Sequence, residues 1–405
     1  MGAEGSGNWK RTFAVLWICV FLVCASYTMV VPFLPLFLVQ DLALPAANAK
    51  MWSGVILAVT FVLAGIMAPY WGARGDVTGQ KVNAIRAGIG LTMCYAMTSV
   101  VTGPWQLLGV RIFMGLISGF VPACMSMASF ILPEERLGWG MGLIQTANSS
   151  GNIMGPLLGG LLSSVFGMRM SFMVAAVSLA LATLSLVILV PKDKPKNLEG
   201  EAPKSLEMFR QLGEMLTHRS LLGILALFSL VKACLMVAQP LLTIYVNELL
   251  DGSPAVVTVS GFILSLAGIA GIVAAPFWGT QGHRYGCNKI LALVFVCAGI
   301  MDVGQLLGHN IWLFGVLYFV YGLFNAGTAP NLYTRMTQET AAAQRGKAFG
   351  LATAADQLGG ALGPLAGGFL GAFLSINQIL ALTGLVLIAG GLEIYWTKVR
   401  KAEVT

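Results

Sequence analysis

Apolar residues in this chain are gathered into twelve long runs, separated by shorter polar or charged segments. Each run has about 20 residues or more, the length that a helix needs to cross a hydrocarbon core of about 30 Å. The pattern therefore predicts an all-α integral membrane protein with twelve transmembrane helices, here called spans 1 to 12. The spans lie at about residues 12–39, 52–72, 82–101, 105–131, 138–165, 170–190, 220–246, 257–279, 289–308, 311–334, 346–374 and 377–397.

Two parts of this pattern occur twice. The stretch GNIMGPLLGG at 151–160 in span 5 returns as GGALGPLAGG at 359–368 in span 11. Residues 53–79 also align with 260–286 without a gap, and 10 of the 27 positions are identical. Such repetition indicates duplication, and because each copy has an even number of spans, the copies share one orientation about an axis along the membrane normal. We therefore predict two pseudo-symmetric six-helix bundles.

The longest charged and polar stretch lies between the two copies. It predicts a first bundle at 1–190, a cytoplasmic linker at 191–219 and a second bundle at 220–405. Apolar positions within the linker have the spacing of a short amphipathic helix, which is typical of a segment lying along the membrane interface.

Composition and charge agree with this topology. Hydrophobic residues make up 57% of the chain and charged residues 10%. With both termini in the cytoplasm, most of the 24 Lys and Arg fall on the cytoplasmic side, as the positive-inside rule requires. The net charge of +7 therefore reflects topology and does not indicate nucleic-acid binding. We predict a multi-pass protein of the cell (inner) membrane with cytoplasmic termini.

The repeated glycine stretches predict close helix packing. Glycines at i, i+4 and i+8 lie on one helix face, and the missing side chains let a second helix approach to backbone contact. A proline inside the stretch removes a backbone donor and bends the helix, as do Pro32 and Pro35 near the end of span 1. The residues that carry the pattern are Gly151, Gly155, Pro156, Gly159, Gly160, Gly363 and Pro364.

Ionisable side chains inside spans are functional candidates, because a charge in the membrane is costly unless it is paired or hydrated. Lys232 and Asp356 both fall near the middle of the membrane, and we hypothesise that they form an ion pair. Protonation of Asp356 then releases Lys232 toward a cavity; a static structural bridge is the alternative. Arg111 shares a helix face with Gly115 and Gly119, which indicates an inward coupling or positioning role, with snorkelling to the outer surface as the alternative.

Polar side chains at cavity depth are candidates for orienting a substrate among apolar walls, although each is equally able to make a helix-to-helix hydrogen bond. The predicted cavity residues are Tyr27, Phe33, Gln145, Asn148, Lys232, Met236, Gln239 and Asn325. Asp302, near the outer end of span 9, is interpreted as a solvated boundary residue.

Signals for an enzyme are poor. The three histidines are scattered, and no phosphate-binding loop or nucleophile constellation is present in the sequence. We therefore predict no catalytic residue, no metal and no cofactor. Without an ATP site, active transport draws on an ion gradient.

Three motifs resemble those of the major facilitator superfamily, in its twelve-helix drug:proton antiporter branch, and the overall pattern is most similar to bacterial multidrug-resistance exporters. The stretch at 151–160 resembles the antiporter motif of the fifth helix, and Arg111 with Gly115 resembles the arginine motif of the fourth. The loop after span 2 is similar to the family's loop motif, in Gly72, Gly75, Asp76, Gly79 and Lys81. The resemblance implies the major facilitator fold, in which two bundles rock around a central cavity, and efflux driven by a proton gradient.

The resemblance also implies that Asp76 latches the cytoplasmic side, where it meets the positive N-terminal end of span 11. The chain departs from the family pattern at Val77 and Gln80, where arginines are usual, and at Arg74, where an apolar residue is usual. Exporters of cationic drugs in this branch often carry an acid in the first helix, and span 1 has none.

The sequence thus predicts a monomeric secondary transporter that exports amphipathic small molecules in exchange for protons, with Asp356 as the proton carrier and Arg111 as its coupling partner. Two deep cations, Arg111 and Lys232, against the one carboxylate sum to +1, which favours anionic, zwitterionic or neutral substrates over lipophilic cations. A proton-coupled importer of an organic anion on the same fold is the first alternative, and a non-transporting membrane receptor is the more remote one.

Overall fold

A computed structural model describes residues 8–133, 137–191, 219–307, 310–340 and 345–400. The regular elements in these ranges are all helical. The α-helices are α1 (Asn8–Thr28), α2 (Leu34–Gln40), α3 (Ala46–Thr78), α4 (Gln80–Val100), α5 (Pro104–Leu116), α6 (Phe120–Ile131), α7 (Leu137–Phe166), α8 (Met168–Leu189), α9 (Arg219–Leu249), α10 (Val256–Tyr285), α11 (Cys287–Gly304), α12 (Ile311–Asn325), α13 (Thr328–Glu339), α14 (Arg345–Leu370) and α15 (Ile376–Ile394). Short 3-10 turns lie at Val31–Phe33 and Gln305–Leu307, and a π-helical turn lies at Tyr395–Arg400.

The helices follow the order of the predicted spans, and the predicted all-α membrane fold with twelve helical spans is confirmed. Spans 1, 4 and 10 each consist of two helices, namely α1–α2, α5–α6 and α12–α13. Among the described residues, nine spans are long and apolar enough to cross a membrane on their own. The other three are α4, α7 and α14, whose polar and glycine residues lower their hydropathy.

The chain folds into two compact units. Unit 1 comprises Met1–Val31 and Val62–Ser205, and unit 2 comprises Pro32–Phe61 and Leu206–Thr405, as far as their residues are described. Helix α3 contributes to both units. The predicted linker lies outside the described residues except for its two ends, and the predicted bundle boundaries stay a prediction.

The bend predicted at the end of span 1 is a complete break. Helix α1 ends at Thr28, a 3-10 turn follows, and α2 begins at Leu34 with Pro35 in its first turn. A proline fits there because the first turn of a helix leaves its N–H groups without intrahelical partners. The counterpart helix α9 holds the single Pro240 and continues through it.

Spans 4 and 10 are also broken near their middle, which the sequence analysis missed. Helix α6 begins after Gly119 and helix α13 begins after Gly327, and each has a proline at its third position, Pro122 and Pro330. Gly119 has φ +119°, a conformation that side chains disfavour. The same G-x-x-P pattern therefore starts a second helix in both halves of the chain.

The repeated glycine stretches pack against the first helix of their own unit. A Cβ built on Gly155 of α7 lies 2.6 Å from Ala25 O of α1. In unit 2, a Cβ built on Gly363 of α14 lies 2.5 Å from Ala233 O of α9. Only glycine allows such proximity, and this is the backbone contact that the sequence pattern predicts.

In unit 1, the antiparallel helices α4 and α8 hold each other through two cations. Lys81, in the first turn of α4, donates from Nζ to Val187 O at 2.9 Å and Val190 O at 2.5 Å, at the end of α8. Arg169, in the first turn of α8, donates from Nη1 to Val101 O at 2.9 Å, just beyond α4. Each cation satisfies carbonyls that a helix end leaves without partners.

Candidate functional site

The two mid-span charges of unit 2 face each other across α9 and α14. Lys232 Nζ lies 3.4 Å from Asp356 Oδ2. The side chains are 25% and 41% exposed, so the pair lies on an accessible face of unit 2 and not in its packed interior. Gly359, one turn after Asp356, brings the helices together here, because a Cβ built on it lies 2.8 Å from Lys232 Cβ.

Arg111 of α5 occupies the interior of unit 1. It is 1% exposed, and its Nη1 lies 3.7 Å from Met114 Sδ. The hydroxyls of Tyr27 and Tyr95 and the thiol of Cys94 lie within its electrostatic reach. The side chain does not extend to the surface of the unit, so it does not snorkel.

The eight predicted cavity residues are divided between the units, three in unit 1 and five in unit 2. In unit 1, Tyr27 is half-buried and Gln145 is exposed. Asn148 is half-buried, and its Oδ1 accepts from Asn152 Nδ2 at 2.8 Å and from Cys24 Sγ at 3.3 Å. Asn148 therefore links α7 to α1 through a hydrogen bond. Of the two roles predicted for polar residues at this depth, this is the helix-to-helix hydrogen bond and not the contact with substrate.

In unit 2, the cavity residues differ in their accessibility. Phe33 and Met236 are buried, so in this conformation they line no accessible surface. Gln239 and Asn325 are half-buried, as is Lys232. Gln239 Oε1 accepts no hydrogen bond from the described residues, which leaves an acceptor on α9 seven residues from Lys232.

The glycines of the loop motif turn the chain between α3 and α4. Gly79 has φ +96°, which requires glycine. Gly75 is buried, and a Cβ built on it lies 2.5 Å from Gln80 Oε1, so a larger residue would crowd Gln80. Gly72 is exposed and has no atom within 4 Å of a built Cβ, so no crowding requires glycine there.

The polar residues of the same motif have separate partners. Asp76 Oδ1 accepts from Gln80 Nε2 at 3.1 Å, whereas Lys81 binds the end of α8. Gln80 stands where the family usually has an arginine, so Asp76 has a neutral donor where a cation is usual.

The interpretation of Asp302 as a solvated boundary residue is wrong. Asp302 lies in the last turn of α11 but is only 4% exposed. Thr383 Oγ1 of α15 is 3.5 Å from its Oδ2, and Tyr318 and Tyr321 of α12 and Cys234 of α9 lie within its electrostatic reach. Helices α12 and α15 pack against α11, and position along one span does not reveal such coverage.

The buried Asp302 changes the count of deep charges. Two cations, Arg111 and Lys232, now stand against two carboxyls, Asp356 and Asp302. The sum is zero when both carboxyls are ionised, so the predicted excess of +1 is wrong for that state.

Two tryptophans, which the sequence analysis did not single out, stabilise the broken spans. Trp71 Nε1 donates to Leu116 O at 2.7 Å, and Trp278 Nε1 donates to Leu323 O at 2.7 Å. The breaks deprive these carbonyls of their intrahelical donors, and the indoles replace them. The signal was available, because the two tryptophans and their carbonyl partners are both 207 residues apart.

The surroundings of the two tryptophans differ in charge. In unit 1, Arg86 Cζ lies 3.2 Å from the centroid of the Trp71 ring, and Arg86 Nη2 donates to Ser118 O at 3.0 Å. In unit 2, Val294 occupies the corresponding place, and a Cβ built on Gly327 lies 2.8 Å from Val294 Cγ1. Only the break in unit 1 is therefore braced by a cation.

Known proteins match this chain over nearly its whole length. The Major Facilitator Superfamily model matches residues 16–299 and 253–405. The chain is 29% identical to the multi-drug resistance efflux pump PmrA homolog of Lactococcus lactis subsp. lactis (strain IL1403), over 96% of this chain and 95% of that protein. It is also 29% identical to the multidrug resistance protein MdtG of Serratia proteamaculans (strain 568), over 97% and 95%.

Solved structures share the fold. A mutant of the nucleoside transporter NupG superposes with a TM-score of 0.79 at 16% identity, over 95% of this chain and 100% of that chain. The human organic anion transporter MFSD10 (TETRAN) superposes with a TM-score of 0.69 at 16% identity, over 95% and 99%. At this identity the likeness concerns the fold alone.

Proposed function

Because this chain belongs to the Major Facilitator Superfamily, and is therefore a membrane transporter and not an enzyme, we propose that it exports drug-like amphipathic molecules in exchange for protons. The similar proteins named as multidrug efflux pumps support the direction and the substrate class. The proton gradient supplies the energy, with no cofactor. The protein acts as a monomer in the cell membrane with both termini in the cytoplasm, and its two bundles, 1–190 and 220–405, rock around the substrate.

The observation that carries the proposal is the accessible ion pair between Lys232 and Asp356 in unit 2. With 3.4 Å between the charged atoms, each charge is neutralised by the other while the pair is intact. A proton on Asp356 removes the carboxylate charge, and the ammonium of Lys232 then loses its counter-ion. Lys232 is thereby free to attract an anionic group or repel a cationic one, which links proton binding to substrate binding.

Arg111 supplies a permanent charge in unit 1. A guanidinium keeps its proton at any physiological pH, so Arg111 does not carry the transported proton. Its burial beside Tyr27 supports a positioning role, in which its charge orients the half-buried phenol. Tyr27, Gln145 and Gln239 remain our candidates for contact with the substrate.

Asp76 is the proposed latch of the cytoplasmic side, with Gln80 as its partner. The hydrogen bond from Gln80 Nε2 holds the carboxylate at 3.1 Å without neutralising it. An uncompensated carboxylate keeps its attraction for the positive N-terminal end of α14. Because His283 stands at the corresponding position of the second repeat, the latch is one-sided.

The substrate charge class depends on the protonation state of the deep carboxyls. With both ionised, the four deep charges cancel, and cationic substrates meet no net repulsion. With one protonated, the sum is +1, and anionic, zwitterionic or neutral amphiphiles are favoured.

Everted membrane vesicles test direction and energy source together. Vesicles with and without the protein are energised by respiration, and ethidium, norfloxacin and fluorescein serve as cationic, zwitterionic and anionic probes. We expect at least one probe to accumulate inside the vesicles that contain the protein, and to leave when nigericin dissipates the pH gradient. An importer of an organic anion instead empties preloaded vesicles of fluorescein, and a receptor moves no probe; either outcome overturns the proposal.

A further inference from the structure

We propose that Asp302 is a second proton-binding carboxyl of the transport cycle, which gains and loses its proton without a cation partner. This inference rests on the proposed proton-coupled export and deepens it, because it assigns a second proton to the same cycle. The carboxylate oxygen receives the proton from the side where protons are abundant and releases it to the other side.

The side chain of Asp302 is buried. It is 4% exposed, and no Lys or Arg in the described part of the chain lies within 4.0 Å of its carboxylate. Among the described residues its one side-chain hydrogen-bond donor is Thr383 Oγ1, at the long distance of 3.5 Å. An ionised carboxyl in such surroundings is poorly compensated, whereas a protonated one needs only a single acceptor.

Asp302 lies in the last turn of its helix. Helix α11 ends at Gly304, and the N–H of Gln305 caps the helix on the carbonyl of Asp302. The C-terminal end of a helix carries the negative end of its dipole, so it disfavours an anion. Burial and helix dipole thus both oppose the charge on Asp302, whereas Asp356 has its own cation.

Polar side chains lie in the surroundings of the carboxyl. The titratable groups in the described residues that interact electrostatically with Asp302 are Cys234 of α9 and the phenols of Tyr318 and Tyr321 of α12. The two phenol rings are stacked with centroids 5.8 Å apart, along α12 toward the break in span 10. Phenol hydroxyls are able to donate and accept protons, so in the proposed cycle these two tyrosines serve the exchange of the proton on Asp302.

Gln305 is a second buried polar side chain at the end of α11. It follows Asp302 by three residues, is 0% exposed, and neither of its side-chain polar atoms has a hydrogen-bond partner among the described residues. Its amide therefore leaves donor and acceptor capacity unused at the end of α11. The end of α11 is polar on its buried side, although apolar helices surround it.

A second carboxyl has a measurable consequence for energy coupling. At zero membrane potential, each proton exchanged per substrate multiplies the attainable substrate gradient by the ratio of proton concentrations. With a pH difference of one unit, the loss of one proton lowers the steady accumulation about tenfold, which equals about 1.4 kcal/mol.

The test compares Asp302→Asn with Asp251→Asn in proteoliposomes that are clamped at zero potential with potassium and valinomycin. Asp251 is exposed and has φ +47°, which Asn also tolerates, so it is a matched control. The probe is whichever of ethidium, norfloxacin and fluorescein the native protein accumulates. We expect Asp302→Asn to exchange probe for probe at the native rate but to accumulate about tenfold less of it, while Asp251→Asn behaves as the native protein does.

Accumulation by Asp302→Asn at the native level overturns the inference and leaves proton-coupled export intact. If the native protein itself accumulates no probe, the proposed function fails and the inference fails with it. His309→Gln is measured beside them, because His309 follows closely in the chain and lies outside the described residues. If His309→Gln alone lowers accumulation, the second proton belongs to the histidine and the inference is wrong.

If Asp302→Asn does not fold, the comparison of Thr383→Val with Thr383→Ser tests the inference instead. The valine variant removes the hydroxyl that donates to Asp302, and the serine variant keeps it. We expect the pH profile of transport to move to higher pH in the valine variant alone, because the carboxylate loses its donor. Identical pH profiles in the two variants overturn the inference.

Discussion

The two units differ in the ionisable side chains that they bury within their spans. Unit 1 buries Arg111 beside two tyrosines and a cysteine, and unit 2 buries Asp302 beside two tyrosines and a cysteine. An arginine keeps its charge throughout a transport cycle, whereas an aspartate is able to bind and release a proton. Arg111 therefore gives unit 1 a permanent buried charge, whereas Asp302 gives unit 2 a buried group that is able to titrate.

The units also differ in how equivalent helices are held together. Helices α4 and α8 of unit 1 have the reciprocal cations Lys81 and Arg169 at their ends, besides a close contact of Gly88 with Thr183. Helices α11 and α15 of unit 2 use glycines, and a Cβ built on Gly384 of α15 lies 2.5 Å from Gly299 O of α11. Both units share one glycine contact, that of α7 on α1 in unit 1 and of α14 on α9 in unit 2. This contact therefore belongs to the duplicated architecture.

That shared contact gives the largest expected effect. Gly155→Ala in unit 1 and Gly363→Ala in unit 2 each force a methyl group against a backbone carbonyl, so both should lower the free energy of unfolding by about 1–3 kcal/mol. Unfolding by SDS in mixed micelles measures it. Gly142→Ala is the control on the same helix as Gly155, because no atom lies within 4 Å of its built Cβ. Equal stability of Gly155→Ala and Gly142→Ala would contradict the packing.

The breaks in spans 4 and 10 should fail for different reasons. Gly119→Ala strains a backbone at φ +119° and should cost about 1–3 kcal/mol of unfolding free energy. Gly327→Ala has an ordinary backbone but crowds Val294. Val294→Ala should therefore restore part of the stability of Gly327→Ala and none of that of Gly119→Ala, in the same SDS titration. Rescue of both variants, or of neither, would show that the two breaks are built alike.

The tryptophan bonds should have a smaller effect. Trp71→Phe and Trp278→Phe each remove one N–H donor to a carbonyl at a break, which should cost about 1 kcal/mol of unfolding free energy. In unit 1 the aromatic ring also supports Arg86, so Trp71→Leu should cost more than Trp278→Leu by about 0.5–1 kcal/mol. Thermal denaturation in detergent compares the four variants. An equal loss of unfolding free energy in the two leucine variants would mean that Arg86 does not stabilise the break in unit 1.

The two cations that bind helix ends in unit 1 should have the smallest effect on stability. Arg169→Gln and Lys81→Gln remove charges from two helix ends in unit 1, and each should lower the free energy of unfolding by about 0.3–1 kcal/mol. Added salt should weaken the native protein more than either variant, because it screens the interaction with the helix dipole. A salt response equal to that of the native protein in both variants would argue against capping.

The sequence predicts the features that depend on a single helix or on the depth of a residue in the membrane. Run length gives twelve spans, glycine spacing gives the contact faces, and depth alone suggests Lys232 and Asp356 as partners, which the structure places 3.4 Å apart. The breaks were missed because apolar residues continue on both sides of Gly119 and Gly327. The burial of Asp302 was missed because it depends on how α12 and α15 pack against α11, which the position of a residue along its own span does not reveal.

The most direct test of proton-coupled export is the proton flux itself. Proteoliposomes that contain the native protein, a pH indicator and a preset pH gradient receive the transported probe, and Asp356→Asn and Asp251→Asn are measured in parallel. If Asp356 carries the proton, the probe discharges the gradient in the native protein and in Asp251→Asn but not in Asp356→Asn. Probe movement without any proton flux in the native protein would contradict antiport, and undiminished flux in Asp356→Asn would remove Asp356 as the carrier.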